Sequence, residues 1–212
     1  MYQFDKVFLT GCDAITEWQL PWFLHHYKKF NTTPLIVADF GMTNEARSKV
    51  KEHILPMHTI KEKAWFLKPQ SMLLVDSEYT CWLDTDCQVL TNLDGIFKYV
   101  EDGKLSMVED KPWTARRRET WHNSGVVAFK DKPWILKHWA EECKRNPIVG
   151  DQETLHLLMT NPIRRLQYIN DLPNKFNVLR IQLDDNTAPE EKAVMHWTGR
   201  KGKDVIRSML YD

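Results

Sequence analysis

A chain of 212 residues can bury one sizeable core, so a single domain covering residues 1–212 is expected. Lysine plus arginine equals aspartate plus glutamate, 29 each, which argues against a nucleic-acid binder and gives no pull toward an acidic membrane surface. No stretch approaches the length of a membrane span, and Met1 to Lys6 lacks the basic start and apolar core of a signal peptide. The four cysteines, Cys12, Cys81, Cys87 and Cys143, show no paired zinc spacing and no CxxC, which fits reduced thiols in the cytoplasm.

Val7-Phe8-Leu9-Thr10 reads as a first strand closed by Gly11, followed by a helix from about Ile15 to Lys29. Leu35 to Ala38 is a buried strand between Pro34 and Asp39, and a polar helix runs from Glu45 to Val50. Residues Lys63 to Val75 have helical spacing despite Pro69 and lead into a strand through Tyr79 to Leu83. Ser124 to Phe129 reads as a strand, Trp134 to Lys144 as a helix, and Asp151 to Met159 as a helix with Asp151 at its N-cap. Ala193 to Trp197 is a late strand and Val205 to Leu210 a closing helix. Strands alternating with helices predict an α/β fold with a largely parallel sheet. Ligands of such sheets bind at the carboxyl ends of the strands, where Thr10, Asp84, Asp86 and His196 fall.

The segment Leu83-Asp84-Thr85-Asp86-Cys87 wedges two carboxylates into a run of strand-forming residues that resumes at Val89-Leu90. Side chains alternate along an extended chain, so Asp84 and Asp86 share a face while Thr85 points away. Two convergent carboxylates at a strand end make a site for a hard divalent cation holding phosphate oxygens. The competing reading is a surface turn, which aspartate also favours.

With the two aspartates placed, the chain resembles the metal-dependent nucleotide-sugar glycosyltransferases of the GT-A fold, and in spacing the retaining glycogenin-like group (family eight). Five segments carry the likeness in the family's order: Val7 to Asp13, Lys68, Leu83 to Leu90, Asn123-Ser124-Gly125 with Gly150-Asp151-Gln152, and His196 to Lys203. Short glycosyltransferase domains of large algal viruses, chlorella viruses among them, are a second resemblance. The likeness implies a Rossmann-like α/β domain with a central mixed, mostly parallel sheet flanked by helices. It implies transfer of a sugar from a UDP-sugar to a carbohydrate or glycoprotein hydroxyl with retention, in the cytoplasm, or the host cytoplasm if the chain is viral.

Residue by residue, the resemblance places the uracil and ribose at Thr10, Gly11, Cys12 and Asp13 and a donor contact at Lys68. It makes Asp84, Asp86 and His196 ligands of manganese, with magnesium second, the motif Asp84-Thr85-Asp86 holding the donor. Asn123, Ser124 and Gly125 lie beside the donor sugar, and Asp151 with Gln152 beneath it. The run Gly199-Arg200-Lys201-Gly202-Lys203 is a glycine-flexed basic loop suited to a diphosphate. It departs from the family's HxxGxxK followed by Pro-Trp, so Lys201 or Lys203 must take the lysine's part.

Each residue also has a plainer reading: His196 as a core histidine, Lys68 as an exposed helix lysine, Asp151 as a helix cap, Asn123 to Gly125 as a turn. Arg116-Arg117-Arg118 reads as a solvated loop able to reach a phosphate or an acceptor, and Asp184-Asp185-Asn186 as a surface loop. Trp113, Trp121 and Trp197 are candidates for stacking on sugars or for packing. Two rival functions stand beside transfer: a HAD-type phosphatase with Asp84 as nucleophile, and a silent sugar-nucleotide-binding domain. The chain ends soon after the basic run, so a domain of a longer polypeptide is also expected to be compatible with the sequence.

Overall fold

The computed structural model describes residues 2–57, 64–147 and 149–211. The first half lays down β1 (Phe4–Cys12), α1 (Leu20–Phe30), β2 (Leu35–Asp39), α2 (Asn44–Lys49) and β3 (His53–Pro56). Then follow α3 (Lys68–Leu74), β4 (Ser77–Leu83), β5 (Cys87–Val89), β6 (Leu105–Glu109), α4 (Lys111–Arg117) and β7 (His122–Lys130). The chain continues through α5 (Trp134–Arg145), α6 (Asp151–Leu158), α7 (Pro162–Tyr168) and β8 (Ile169–Asp171). It closes with β9 (Val178–Leu179), α8 (Arg180–Asp184), β10 (Val194–His196) and α9 (Gly199–Tyr211).

The large sheet has the order β3-β2-β1-β4-β7-β6-β8, and a small one the order β5-β10-β9. Pairing is parallel from β3 to β4 and between β6 and β8, whereas β7 runs antiparallel to both its neighbours. The expected mostly parallel, mixed α/β sheet is therefore present. Alternate residues along the strands enter two cores on opposite faces. Phe8, Val37, Cys81 and Val126 pack with α1, and with Ile206 of α9, on one side. Leu9, Ile36, Trp82 and Val127 pack with Leu136 and Trp139 of α5 on the other.

Several expectations need correction. The first helix begins at Leu20 rather than Ile15, because the Asp13 carboxylate accepts from the Ile15 and Thr16 amides and the Thr16 hydroxyl, closing a turn there. Pro21 then sits in the first turn of α1, where its missing N–H costs nothing. Pro69 has the same place in α3; the expected start at Lys63 lies outside the described residues.

Asp84-Thr85-Asp86 is not strand. The Cys87 amide donates to the Asp84 carbonyl at 3.0 Å, a tight turn, and the apolar run beyond it is β5 of the second sheet. The basic run at 199–203 is not a loop but the first turn of α9, which starts six residues earlier than expected at Val205. Gly150, not Asp151, is the N-cap of α6. Asp184 ends a short helix, α8, before exposed Asp185 and Asn186.

Candidate active site

The strand directions gather the site. Because β7 is antiparallel to β4, its beginning meets the end of β4: Val126 pairs with Leu83, and the Asp84 amide donates to the Gly125 carbonyl at 2.8 Å. β10 pairs with β5 so that His196 stands opposite Cys87, and the Trp197 amide donates to the Asp86 carbonyl at 3.0 Å. Three stretches far apart in sequence thus meet where the end of β4 passes into the small sheet.

There the His196 Nε2 lies 3.1 Å from Asp86 Oδ1 and 3.8 Å from Asp84 Oδ2. Adjacent ligands of an octahedral ion with bonds of about 2.1 Å lie roughly 3 Å apart, so Asp86 and His196 stand at the spacing of manganese or magnesium ligands, with Asp84 farther off. Among the described residues the ligand atoms that all lie within 4.8 Å of one another belong to Asp86, Cys87 and His196, and Asp84 stands outside that group. Cys87 is the weaker ligand: burial, then Asp86 and Asp84, push its thiol well above the ordinary pKa, and its Sγ points at the Gly125 carbonyl. Burial works against a charge on His196, but Asp86 and Asp84 outweigh it and raise its pKa. Burial likewise opposes charge on Asp86, and His196, Lys203 and Lys68 hold its carboxyl below the usual range. The pocket between the carboxylates is a place for positive charge, filled by a proton or a cation.

Lys68 is only 4% exposed, so it is not the exposed helix lysine of the plainer reading. Its Nζ lies 2.9 Å from Asp84 Oδ1, 2.8 Å from Asp151 Oδ2 and 3.3 Å from the Ser124 hydroxyl. Burial lowers its pKa, and Asp151 and Asp84 reverse that and raise it above the ordinary lysine value. Asp84 Oδ1 also accepts from the Trp82 indole at 2.6 Å.

The network continues without a break. The Ser124 hydroxyl donates to Asp151 Oδ2 at 2.8 Å, and its amide to Gln152 Oε1 at 3.1 Å. Gln152 Nε2 and Asn123 Nδ2 both donate to Asp110 Oδ2, at 3.4 and 3.2 Å. Asn177 Nδ2 donates to Asn123 Oδ1 at 2.9 Å and its own Oδ1 meets His196 Nδ1 at 3.0 Å. The chain of contacts closes on itself from Lys68 through Asp84, His196, Asn177, Asn123, Asp110, Gln152 and Ser124 back to Lys68.

Above this ring opens a cleft of about 700 Å³. Gly11, Cys12 and Asp13 line it at the β1 end, followed by the Asp84-Thr85-Asp86 turn, Asn123, Ser124, Asp151 and Gln152. A Cβ on Gly11 would come within 2.7 Å of the Phe40 ring, so only glycine fits that wall. Lys68, His196, Gly199 and Lys203 line it too. Lys203 Nζ lies 3.7 Å from Asp86 Oδ2, whereas Lys201 is exposed on α9 away from the cleft. Thr10 is fully buried and does not line the cleft, its hydroxyl without a hydrogen-bond partner among the described residues, and Gly125 is buried behind His196.

This architecture is shared with solved enzymes. The galactosyltransferase LgtC, in complex with donor and acceptor sugar analogues, superposes with a TM-score of 0.68 at 12% identity over 95% of each chain. LgtC also matches as an active-site glutamine-to-glutamate mutant, with a TM-score of 0.67 at 13% identity, covering 97% of this chain and 95% of that one. Mouse xyloside xylosyltransferase 1 follows at 0.59 and 10%, over 91% of this chain and 96% of its own. The fold is that of the GT-A glycosyltransferases. No protein-family model matches the sequence, and no curated protein does.

On this GT-A scaffold the phosphatase alternative finds no support, since Asp84 is held by Trp82 and Lys68 rather than free to attack a phosphate. Of the tryptophans, Trp113 lines the cleft. Trp121 stacks on the His156 ring at 3.6 Å, and Trp197 packs on the core with its indole donating to Gln88. Reading the sequence alone misses Asp110 and Asn177. Asp110 had a signal, an aspartate directly before Lys111-Pro112, which marks a helix start; it caps α4 by accepting from the Trp113 amide. Asn177, in a loop with no periodicity, had none.

Proposed function

We propose that this protein is a metal-dependent glycosyltransferase that moves a sugar from a UDP-sugar to a carbohydrate or glycoprotein hydroxyl, with retention of the anomeric configuration. One observation carries the reading: Asp84, Asp86 and His196 converge at the floor of a large cleft, at the strand ends of a GT-A fold. Their donor set suits manganese first and magnesium second. When bound, such an ion supplies Lewis-acid stabilisation to a departing diphosphate.

The chain's own residues do the rest. Lys203, beside Asp86, is the lysine placed to share the diphosphate charge. Lys68 bridges Asp84 and Asp151, so neither carboxylate drifts when the site fills. Asp151 and Gln152, fixed by Ser124, face the cleft where a positive anomeric centre would develop. LgtC also has an active-site glutamine, and Gln152 lines this cleft. Gly11 to Asp13 form the wall for the nucleoside.

Release of free UDP from a panel of UDP-sugars tests the reading. Release should require manganese or magnesium and disappear in Asp86→Ala. Equal release with a chelator present would remove the metal from the mechanism.

A further inference from the structure

We propose that α4 forms an acceptor subsite for a negatively charged saccharide, an inference that rests on the glycosyltransferase reading. Strand order gives the cleft a direction. Its β1 end offers Gly11 to Asp13, its middle the Asp84-Thr85-Asp86 turn, and its far end α4, which follows β6. From β1 to β6 the sheet crosses β4 and β7, three steps of about 4.8 Å, or roughly 14 Å. A donor lying with its base at β1 therefore points its sugar toward α4.

The join is direct. Asp110, the N-cap of α4, accepts from Gln152 at 3.4 Å, so α4 begins one residue from the group touching the Asp151–Gln152 pair. An acceptor hydroxyl has to approach there.

The surface that α4 offers is an aromatic ring with a cationic rim. Trp113 lines the cleft and is braced behind by Trp121, at 6.0 Å between ring centroids. The Arg117 guanidinium lies 4.9 Å from the Trp113 ring and that of Arg116 5.9 Å, with Arg116 itself lining the cleft. A flat indole suits the apolar face of a pyranose, and guanidinium groups suit a carboxylate or phosphate through paired hydrogen bonds.

Charge decides the class of ligand. Lys111, Arg116, Arg117 and Arg118 are all exposed on or beside α4. Among the described residues no carboxylate lies within ion-pair distance of any of them. Glu119, next in sequence, turns away to His156 at 3.0 Å. In a protein of zero formal net charge, four cations on or beside one short helix, Arg116 among them lining the cleft, and without an ion pair among the described residues, are a local feature rather than a general basicity.

Two matched pairs of probes test this: p-nitrophenyl β-glucuronide against the glucoside, and glucose 6-phosphate against glucose. Binding is measured by calorimetry with UDP and manganese present. The charged member of at least one pair should bind about tenfold tighter at low salt, the scale of one charge-assisted contact, and which pair responds tells carboxylate from phosphate. High salt or Arg116→Gln with Arg117→Gln should erase the preference. Trp113→Ala should weaken both members of a pair alike. Equal binding within both pairs would overturn the inference, as would an acidic peptide binding as tightly as the charged sugars. These titrations need no turnover. Absence of UDP release from every donor would sink the glycosyltransferase reading, whereas a missing charge preference would sink this one alone.

Discussion

The His196 Nδ1 lies 3.0 Å from Asn177 Oδ1, and the direction of that hydrogen bond is set three residues away. The Gly125 amide can only donate, and it donates to Asn123 Oδ1 at 2.9 Å, which turns the Asn123 amide nitrogen toward the Asp110 carboxylate. Asn177 must then offer its own nitrogen to Asn123 Oδ1 and its oxygen to His196. The imidazole carries its proton on Nδ1, and the Nε2 lone pair of the neutral ring is left facing Asp84 and Asp86.

Asn177→Ala should therefore weaken manganese binding, by about 10- to 100-fold, the usual effect of removing a group that orients a metal ligand. Asn177→Asp keeps an acceptor for Nδ1 and should retain more of the affinity. Calorimetric titration of each variant reads the outcome, and unchanged affinity in both would show that the ring needs no such support.

Gly125 is required by the same histidine. A Cβ there would stand 2.1 Å from His196 Cε1 and 2.5 Å from its Nδ1, closer than any real contact. Gly125→Ala should displace the ring and abolish metal-dependent stabilisation by UDP in a thermal melt. Gly95→Ala, where nothing lies within 4 Å, should change stability by no more than about 0.5 kcal/mol.

The contrast between these residues shows what the sequence could reveal. Asp84, Asp86 and His196 lie in or beside apolar strand patterns, where a charge or an imidazole stands out, and the structure brings them together. The reason given for the pair fails in detail: a turn, not strand alternation, makes the two aspartates converge. A turn of three residues between β4 and β5 leaves the apolar rhythm almost unbroken, so two strands in different sheets read as one. The start of α9 was hidden by Gly199 and Gly202, since glycine disfavours helix. Gly202 serves a contact there: a Cβ would fall 2.0 Å from the Trp197 carbonyl oxygen. Asn177 acts across 54 residues on Asn123, and no local pattern encodes such a pairing.

The helical start of α9 sets the two lysines in different places. Lys203 faces Asp86 from the helix and Lys201 faces solvent. Lys203→Ala should weaken UDP by about 1.5–3 kcal/mol and uridine by much less, because only UDP carries the phosphates. Lys201→Ala should match the unaltered protein. Equal losses in both variants would mean that the helix binds through general charge rather than one contact.

Lys68 is a stability residue as well as a site residue. Replacing it by alanine leaves buried Asp151 and partly buried Asp84 without their shared cation, and breaking a buried pair costs about 3–5 kcal/mol. Urea unfolding of Lys68→Ala at neutral pH should show a loss of that order. A loss below about 1 kcal/mol would mean that water takes the ammonium's place beside the carboxylates.

Retention of configuration is the prediction that tests the chemistry itself. An inverting enzyme needs a carboxylate free to take the acceptor proton. Asp110 has both oxygens occupied, by the Trp113 amide and by Asn123 with Gln152. Asp151 Oδ2 is held by Lys68 and Ser124. Glu153 also lines the cleft, has no hydrogen-bond partner among the described residues and is a candidate base for inversion. If the reaction retains, the departing diphosphate takes the acceptor proton and Glu153→Gln should keep most of the turnover. Asp151→Asn should then cut turnover by about a hundredfold or more while UDP still binds, because in the proposed reading the lost charge faces the sugar and Lys203, not Asp151, meets the phosphates. Its folding should survive better than that of Lys68→Ala, since Gly150 rather than Asp151 caps α6. Proton NMR of the first-formed product reads the anomeric configuration directly. An inverted signal together with a dead Glu153→Gln variant would transfer the catalytic role from Asp151 to Glu153.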